Sequence, residues 1–598
     1  MEIRRPLRPL ARILKARNKG VDPALVEAEE RAARLRKQRS REKRRAELRL
    51  ALMAGVFGLA FLAVGAKMGM VALEEPVEPE SRWQAPTIIN QRANIVDRNG
   101  AILATNLLTA SLYATPQNMA DPVAAVDKLL EIFPDLDGPQ LLRQFTGNRK
   151  FVWIKRKLSP EQHQAVLDTG EPGLLVGPRE LRLYPNGKFA AHILGGTRFG
   201  VEGVRSAELV GTAGVELQFD EYLRDPANEG DPLELSIDLT VQSAMRQVLE
   251  GGMNLMNAKA ATGVLMEAST GRIISMVSLP DFDPNHRPRP PASGDPADSP
   301  LFNRAAQGTY ELGSTFKIFT AAQAMETGVA NPETMINTST PLVWHNFKIN
   351  DFHDYGSRLS LRDVIIKSSN TGAARLAAAM GGEAQQAFLR RLGLMERLPI
   401  ELPESRGSAP ILPSRWSEIS TMTISYGQGI AVTPVHLAAA YATMVNGGLH
   451  VEPTLLNEYT APTEEDRVIS LQTSTALRDM FRQVVVGEGG TASLGNVEGY
   501  EVGGKTGSAD KPNPQGAYYE DKVIGTFASA FPMSNPQYVL VVSLDEPEIS
   551  VLDEARRTAG WTAVPVSAEI IRRIAPLLGL RPNANNETPQ LPILLTSN

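Results

Sequence analysis

The stretch that decides the fold is GSTFKIFTAAQAMETG, which occupies residues 313–328. Its apolar-rich composition predicts a helix that follows Gly313 and ends at Gly328. At a spacing of three residues, Ser314 and Lys317 share one face of that helix, with Ser314 in the first turn. Serine is a poor nucleophile at its own pKa, so a neighbouring base is what acyl transfer by Ser314 would require.

Two further short motifs follow in the same section, Ser368-Ser369-Asn370 and Lys505-Thr506-Gly507. The order of the three motifs is the informative feature, because an SxxK pattern alone arises by chance and recurs here at Ser40–Lys43 and Ser508–Lys511. Burial and other cations lower the pKa of a lysine, so Lys317 could be neutral enough to take the hydroxyl proton.

The remaining motif residues receive roles from their chemistry. Ser368 could relay the proton to the leaving amine, and Asn370 could hold the substrate amide. Lys505 could add positive potential. The substrate-binding stretch is Thr506, Gly507 and Ser508, in which the two hydroxyls would meet a substrate carboxylate. The backbone N–H groups of Ser314 and Ser508 would form the oxyanion hole, since a helix N-terminus and an edge strand both present donors.

The sequence around these motifs predicts an α/β (α+β) domain. Strands are expected at Thr262–Glu267, Arg272–Ser278, Tyr500–Gly507, Val523–Phe531 and Tyr538–Leu544, and long helices in between up to Gly447. Flanking helices are expected near Thr240–Met256 and Pro565–Leu578. Strands at both ends of one section, with helices between them, imply one sheet assembled from distant sequence and packed on a helical subdomain.

The predicted domain occupies residues 233–580 and is preceded by a mixed α+β module at 91–232. That module opens with ANIVDRNGAILATN (Ala93–Asn106), which predicts a hairpin with its turn at Asn99-Gly100. The Asn- and Pro-rich residues 581–598 are predicted to be a disordered tail.

The N-terminal segments predict a membrane anchor. Residues 50–73 are apolar over roughly the 20 residues that cross a bilayer. Residues 1–49 hold 17 Lys or Arg against 7 Asp or Glu, so the rest of the chain carries −15 of a total charge of −5. A basic block before the span predicts a cytoplasmic N-terminus and an external catalytic part. Residues 74–90 contain Glu and Pro, which favours an extended stalk next to the membrane. A cleaved signal peptide and a nucleic-acid-binding arm are the competing interpretations.

Cysteine is absent, and the seven histidines show no HExxH pattern. Disulfides and thiolate metal sites are therefore excluded, and we expect neither a metal nor an organic cofactor.

One motif indicates a rival class. Residues Gly499–Thr506 fit GxxxxGK[ST], the phosphate-binding P-loop of NTPases. A P-loop requires a helix directly after Thr506, but the following GSADKPNPQG (Gly507–Gly516) is typical of a turn.

SxxK, SxN and KTG in this order resemble the serine acyltransferases that include penicillin-binding proteins and β-lactamases. Further matching stretches are RANIVDRNG (Arg92–Gly100), RLYPNGKFAAHILG (Arg182–Gly195), GTAGVE (Gly211–Glu216), ELGSTFK (Glu311–Lys317) and YGQGIAVTP (Tyr426–Pro434). Over residues 85–575 the chain is similar to class B penicillin-binding proteins, and most of all to the FtsI division type. Ala93-Asn94 departs from the family, which usually has glycine early in the first stretch.

The resemblance implies a serine β-lactamase/transpeptidase-like domain that cross-links peptidoglycan stem peptides at D-Ala-D-Ala and is acylated by β-lactams. It also implies a single-pass inner-membrane protein with a periplasmic catalytic domain, at midcell beside an FtsW-type glycosyltransferase and other division proteins, without nucleic acid. An elongation-type transpeptidase and a wall sensor that stays acylated remain alternatives. A soluble β-lactamase needs no anchor, and residues 74–236 are too short for the glycosyltransferase of a bifunctional synthase.

Overall fold

A computed structural model of the chain describes residues 22–73, 92–202, 207–228, 230–513 and 517–583, together with 12, 15 and 17–20. The chain divides into two compact units, Met1–Thr87 and Ile88–Asn598. The predicted stalk at 74–90 and most of the predicted tail at 581–598 lie outside the described residues.

The first unit contains one long helix, α1 (Pro23–Leu73). Its segment Glu47–Met68 is long and apolar enough to cross a membrane, by length and composition. The apolar run predicted at 50–73 is therefore helical throughout, and the same helix continues back into the basic segment. There, Arg31 and Glu27 are one turn apart, with nitrogen and oxygen 3.7 Å from each other, a pairing that supports an exposed helix.

The second unit opens with a small mixed module. Its strands are β1 (Ile95–Val96), β2 (Ile102–Ala114), β3 (Val152–Leu158), β4 (Leu174–Leu183), β5 (Gly196–Glu202), β6 (Ala207–Ala213) and β7 (Leu233–Glu234). Its helices are α2 (Pro122–Ile132), α3 (Gly138–Phe145), α4 (Pro160–Asp168), α5 (Ala191–Leu194), α6 (Gly214–Gln218) and α7 (Asp220–Arg224). The main sheet has the order β3-β2-β1-β7, with β4 also paired to β2, and β5 pairs with β6.

The first hairpin forms where the sequence predicted it. Strands β1 and β2 pair antiparallel, and Gly100 has a φ of +81°. The carboxylate of Asp97 accepts hydrogen bonds from the backbone N–H groups of Asn99 and Ala101, each at 2.8 Å. The turn at Asn99-Gly100 is confirmed, because an Asp side chain and a glycine provide the bonds and the left-handed conformation that it needs.

The main domain follows. Its helices are α8 (Leu239–Leu255), α9 (Lys317–Glu326), α10 (Leu361–Ile366), α11 (Asn370–Met380), α12 (Gly382–Arg391), α13 (Glu418–Ile424), α14 (Pro434–Val445), α15 (Leu471–Val486) and α16 (Ala563–Leu577). Its strands are β8 (Ala260–Glu267), β9 (Ile273–Leu279), β10 (Met335–Asn337), β11 (Leu342–Trp344), β12 (Phe347–Ile349), β13 (Arg358–Ser360), β14 (Gly503–Pro512), β15 (Tyr518–Phe531), β16 (Tyr538–Asp545), β17 (Ile549–Val551) and β18 (Glu554–Arg556).

A five-stranded antiparallel sheet of order β14-β15-β16-β8-β9 forms the centre of this domain. The predicted α/β class, with one sheet from distant sequence on a helical subdomain, is confirmed. Helices α8 and α16 pack on each other and on the sheet, while α14 contacts β8, β15 and β16. Every residue of α14 is buried. The sheet leaves β14, which carries Lys505 and Ser508, as an edge strand.

One local prediction was wrong. Residues 507–512 form part of β14 and not a turn, because β15 pairs along the strand as far as Pro512 opposite Tyr518. Two small antiparallel sheets, β10 with β13 and β11 with β12, also lie in the region where long helices were predicted to dominate. Strands of three residues are too short to show a period in the sequence.

Candidate active site

Ser314 lies in a 3-10 turn, Gly313–Phe316, that leads directly into α9. In such a turn residues three apart are eclipsed, which places the side chains of Ser314 and Lys317 together. The Nζ of Lys317 lies 2.8 Å from the Oγ of Ser314. Ser314 is half-buried, while Lys317 is only 1% exposed. The predicted pairing is present, although the helix begins as a tighter turn than expected.

An aromatic cluster holds this turn from below. The ring of Phe319 lies 5.3 Å from that of Phe316 and 5.7 Å from that of Tyr441, both edge-on. The hydroxyl of Tyr441 donates to the backbone oxygen of Thr315 at 2.8 Å. Because these rings are fully buried, the turn that carries the nucleophile rests on a packed base.

Two glycines let neighbouring backbones approach the turn. A Cβ on Gly507, in β14, would lie 2.1 Å from the backbone oxygen of Leu312, and one on Gly427 would lie 2.1 Å from that of Gly313. Such distances exclude any side chain, and Gly427 also has a φ of +81°. Strand β14 and the loop that contains Gly427 therefore support the nucleophile turn directly.

Ser368 occupies the turn between α10 and α11 with a φ of +66°. Its Oγ is 3.0 Å from the Nζ of Lys317 and 3.0 Å from the Nζ of Lys505. Lys317 also donates to the backbone oxygen of Ser368 at 2.6 Å. The structure thus brings Ser314, Lys317, Ser368 and Lys505 into one continuous polar chain.

Asp351, which lies in none of the sequence motifs, holds the strained turn at Ser368. Its carboxylate accepts hydrogen bonds from the hydroxyls of Ser369 at 2.7 Å and Thr371 at 2.9 Å, and from the backbone N–H of Thr371 at 2.9 Å. A non-glycine residue at positive φ costs about 1–3 kcal/mol and persists only where its surroundings enforce it. Asp351 follows a three-residue strand and belongs to no motif, so nothing in the sequence marked it.

The other residues predicted to contact substrate closely follow Ser368 or Lys505 in the chain. The side-chain amide of Asn370 donates to the backbone oxygen of Asn350 at 2.9 Å. The hydroxyl of Thr506 pairs with that of Thr491 at 2.7 Å.

Ser508 is exposed, and its hydroxyl accepts from the backbone N–H of Ala559 at 2.9 Å, which leaves the hydroxyl proton for another acceptor. A Cβ on Gly313 would lie 3.4 Å from the backbone nitrogen of Ser508, so the two expected oxyanion donors belong to adjacent backbones.

Burial governs the charges of the two lysines. Burial lowers the pKa of Lys317 well below its ordinary value, and the neighbouring Lys505 lowers it further, while Asp351 opposes both. Burial also lowers the pKa of Lys505 to about 7. A neutral amine has two N–H donors and one lone pair. In neutral Lys317 the donors match the two oxygens of Ser368, and the lone pair remains for the hydroxyl proton of Ser314.

The backbone excludes a P-loop at Gly499–Thr506. Thr506 lies inside β14, and the chain continues as a strand where a P-loop would begin a helix. Among the described residues no group of His, Asp or Glu is arranged to hold a metal ion. The geometry matches acyl transfer by a serine with a lysine base.

Comparison with known families agrees with this chemistry. Residues 261–572 match the family described as the penicillin binding protein transpeptidase domain. Residues 87–229 match the penicillin-binding protein dimerisation domain.

Individual proteins are similar over most of the chain. A probable peptidoglycan D,D-transpeptidase FtsI of Caulobacter vibrioides is 33% identical over 557 residues, which cover 91% of each chain. The peptidoglycan D,D-transpeptidase FtsI of Escherichia coli K12 is 27% identical over 574 residues, 90% of this chain and 93% of that protein. The crystal structure of penicillin binding protein 3 from Mycobacterium tuberculosis, complexed with aztreonam, shares the fold. Its TM-score is 0.59 at 24% identity, over 82% of this chain and 97% of that one.

Proposed function

This chain belongs to the penicillin-binding transpeptidase family, of the class B type, and we propose from that premise that it is a peptidoglycan D,D-transpeptidase of the FtsI type that works through an acyl-enzyme on Ser314. The observation that carries the proposal is the position of the Lys317 amine, 2.8 Å from the Oγ of Ser314 and 3.0 Å from the Oγ of Ser368. A nucleophile, its base and a proton relay are thereby in contact.

In the first half-reaction Ser314 attacks the D-Ala-D-Ala amide of one stem peptide. Its proton passes to neutral Lys317 and then, through Ser368, to the nitrogen of the departing D-Ala. The backbone N–H groups of Ser314 and Ser508 receive the oxyanion. Lys505, with Thr506 and Ser508, attracts the terminal carboxylate, and Asn370 orients the peptide amide beside it.

In the second half-reaction the amine of a neighbouring stem peptide attacks the ester on Ser314. The new amide is the cross-link, and Ser314 recovers its proton from Lys317. A β-lactam presents a strained amide to the same groups, so we propose that it acylates Ser314 and leaves slowly. The chain shares its fold with a penicillin binding protein whose structure was solved with aztreonam, and this likeness supports the proposal.

An acyl-transfer assay separates an enzyme from a wall sensor that only becomes acylated. The full chain in detergent is mixed with a D-Ala-D-Ala stem-peptide donor and an amine-bearing acceptor peptide. We expect D-Ala release together with cross-linked product in repeated turnovers, because Ser368 and Lys505 complete the proton path. A single equivalent of D-Ala per protein, followed by no product, would favour the sensor.

We also propose a role at the division septum and a membrane topology. Both rest on the similarity to FtsI proteins and on helix α1. The FtsI names of the relatives favour the division septum, and α1 contains a segment that is able to span a membrane. The basic block before that segment favours a cytoplasmic N-terminus and a periplasmic catalytic domain. We assign residues 91–232 to the dimerisation-type module and 233–580 to the transpeptidase domain. An FtsW-type glycosyltransferase and other division proteins are the proposed partners, because residues 74–236 are too short for the glycosyltransferase of a bifunctional synthase and the glycan strands would need another source.

Depletion in growing cells tests the septal role. A fluorescent fusion is expected at midcell, and depletion is expected to give filaments with segregated chromosomes, because septal cross-linking stops while side-wall growth continues. Fluorescence spread along the side wall, with rounded cells on depletion, would identify an elongation enzyme. A fusion that carries Ser314→Ala is the matched control for localisation, since the anchor and module are unchanged in it.

A further inference from the structure

Glu311 lies three residues before Ser314, just ahead of the nucleophile turn. Its Oε1 accepts the backbone N–H of Gly429 at 2.8 Å. The hydroxyl of Tyr518 lies 3.1 Å from Oε1 and 3.0 Å from Oε2. Glu311 therefore joins the nucleophile turn to the loop behind it and to the far end of the β14–β15 hairpin, where Tyr518 pairs with Pro512.

These contacts leave the Glu311 carboxylate able to accept further hydrogen bonds. A carboxylate has about four acceptor positions, and the two donors around Glu311 occupy two of them. Glu311 is half-buried, so part of its surface is accessible to solvent. Burial raises the pKa of Glu311, and the negative charge of Asp510 raises it further, so its carboxylate has more affinity for a proton than an exposed one.

Side chains of opposite charge lie toward the two ends of β14. Lys505 and Lys317 lie at one end, beside Ser368. Ser508 lies three residues further along the strand, about 10 Å from Lys505 at the usual rise per residue. Asp510 and the Tyr518–Glu311 pair lie beyond Ser508. The nucleophile turn packs against β14 at Ser508, between Lys505, which suits a carboxylate, and Asp510, which suits a cation.

The acceptor amine of the second half-reaction is positively charged in solution and must lose a proton before it can attack. A primary aliphatic amine is an ammonium ion at neutral pH and has no lone pair for attack. Lys505, when protonated, repels an ammonium, so the end of the strand that carries Lys505 does not favour the acceptor amine. We propose, resting on the transpeptidase function above, that the ammonium of the acceptor enters along Glu311 and gives its proton to that carboxylate.

The protons balance in this scheme. The ammonium N–H bond breaks, its proton goes to Glu311, and the freed lone pair forms the N–C bond with the acyl carbon. As the bond from that carbon to Oγ breaks, the nitrogen loses a second proton to neutral Lys317, which protonates the departing Oγ of Ser314. Glu311 then releases its proton to solvent.

The test compares acylation with transfer in one reaction. The full chain in detergent is given a thioester analogue of the donor, whose thiol release reports acylation, and D-alanine as the amine. In Glu311→Gln we expect thiol release within about threefold of wild type, while the ratio of amide to hydrolysed product falls by about 10²-fold, the lower end of what one general base contributes. Glutamine retains an oxygen for Gly429, so the turn keeps its support.

Two controls isolate the proton transfer. Glu326→Gln removes a carboxylate at the other end of α9, where it accepts hydrogen bonds from Ser470, and is expected to change neither step. Hydroxylamine, an amine that is largely unprotonated at pH 7, should restore transfer in Glu311→Gln. An unchanged ratio with D-alanine, or an equal deficit with hydroxylamine, would overturn the proposal. Equal loss of thiol release and transfer would make Glu311 a structural support only. Failure of wild type to release thiol would instead refute the Ser314 mechanism itself.

Discussion

Ser314→Ala is expected to abolish covalent labelling by a fluorescent penicillin, together with all release of D-Ala from a stem peptide. The alanine side chain has no atom that can form the ester, and neighbouring groups cannot replace it in the same geometry. Lys317 and Ser368 would remain in contact, so the fold should survive. The measurement is in-gel fluorescence of membranes that contain each variant, with the protein amount read by an antibody.

Ser508→Ala is the matched control for this experiment. It removes a hydroxyl from the same cleft, one that accepts a hydrogen bond from the backbone of Ala559, and it leaves the nucleophile in place. We expect reduced but measurable labelling. Full labelling of Ser314→Ala would mean that another residue is acylated and would end the assignment.

Lys317→Met is expected to slow acylation by about 10²- to 10⁴-fold, the contribution of one general base. Methionine nearly matches the length of the lysine side chain and fills the buried space, so the loss reports the amine and not a cavity. Lys511→Met is the control, because Lys511 is a partly buried lysine of β14 whose amine pairs with Asp545 and Glu546 at 2.7 Å each. Normal acylation in Lys317→Met would mean that the base is elsewhere.

The pH dependence gives a second readout of the same base. Only neutral Lys317 accepts the proton of Ser314, so the acylation rate should rise with pH through the lowered pKa of Lys317. Lys505 is a cation that depresses that pKa. In Lys505→Met the pKa of Lys317 should therefore rise, and the acidic limb of the rate profile should move to higher pH. If the acidic limb of the rate profile does not move, the charge of Lys505 does not lower the pKa of Lys317.

Local patterns predicted what local geometry determines. The three-residue spacing of Ser314 and Lys317 was sufficient to place their side chains together, because both a helix and a 3-10 turn bring such residues to one face. The hairpin at Asn99-Gly100 followed from its turn residues in the same way. The central sheet followed from strand signals at both ends of the section with helix signals between them.

Contacts that depend on tertiary packing were not visible in the sequence. Asp351 acts through the backbone of a distant turn, and Glu311 acquires its role from Tyr518, which lies more than 200 residues along the chain. The true length of β14 depends on its pairing with β15. Ser368 and Lys505 were singled out by motif order alone, and only the folded chain shows that one hydroxyl lies 3.0 Å from both lysines.

The central claim is that Ser314 forms the acyl-enzyme, and peptide mass mapping of a trapped adduct tests it most directly. The full chain is incubated with aztreonam or a penicillin, denatured and digested, and the mass added by the β-lactam is located by fragmentation. The account predicts one equivalent of adduct, on the peptide that contains Ser314 and on that serine. An adduct on Ser508, on Ser368 or on any other residue, with an unmodified Ser314, would contradict it.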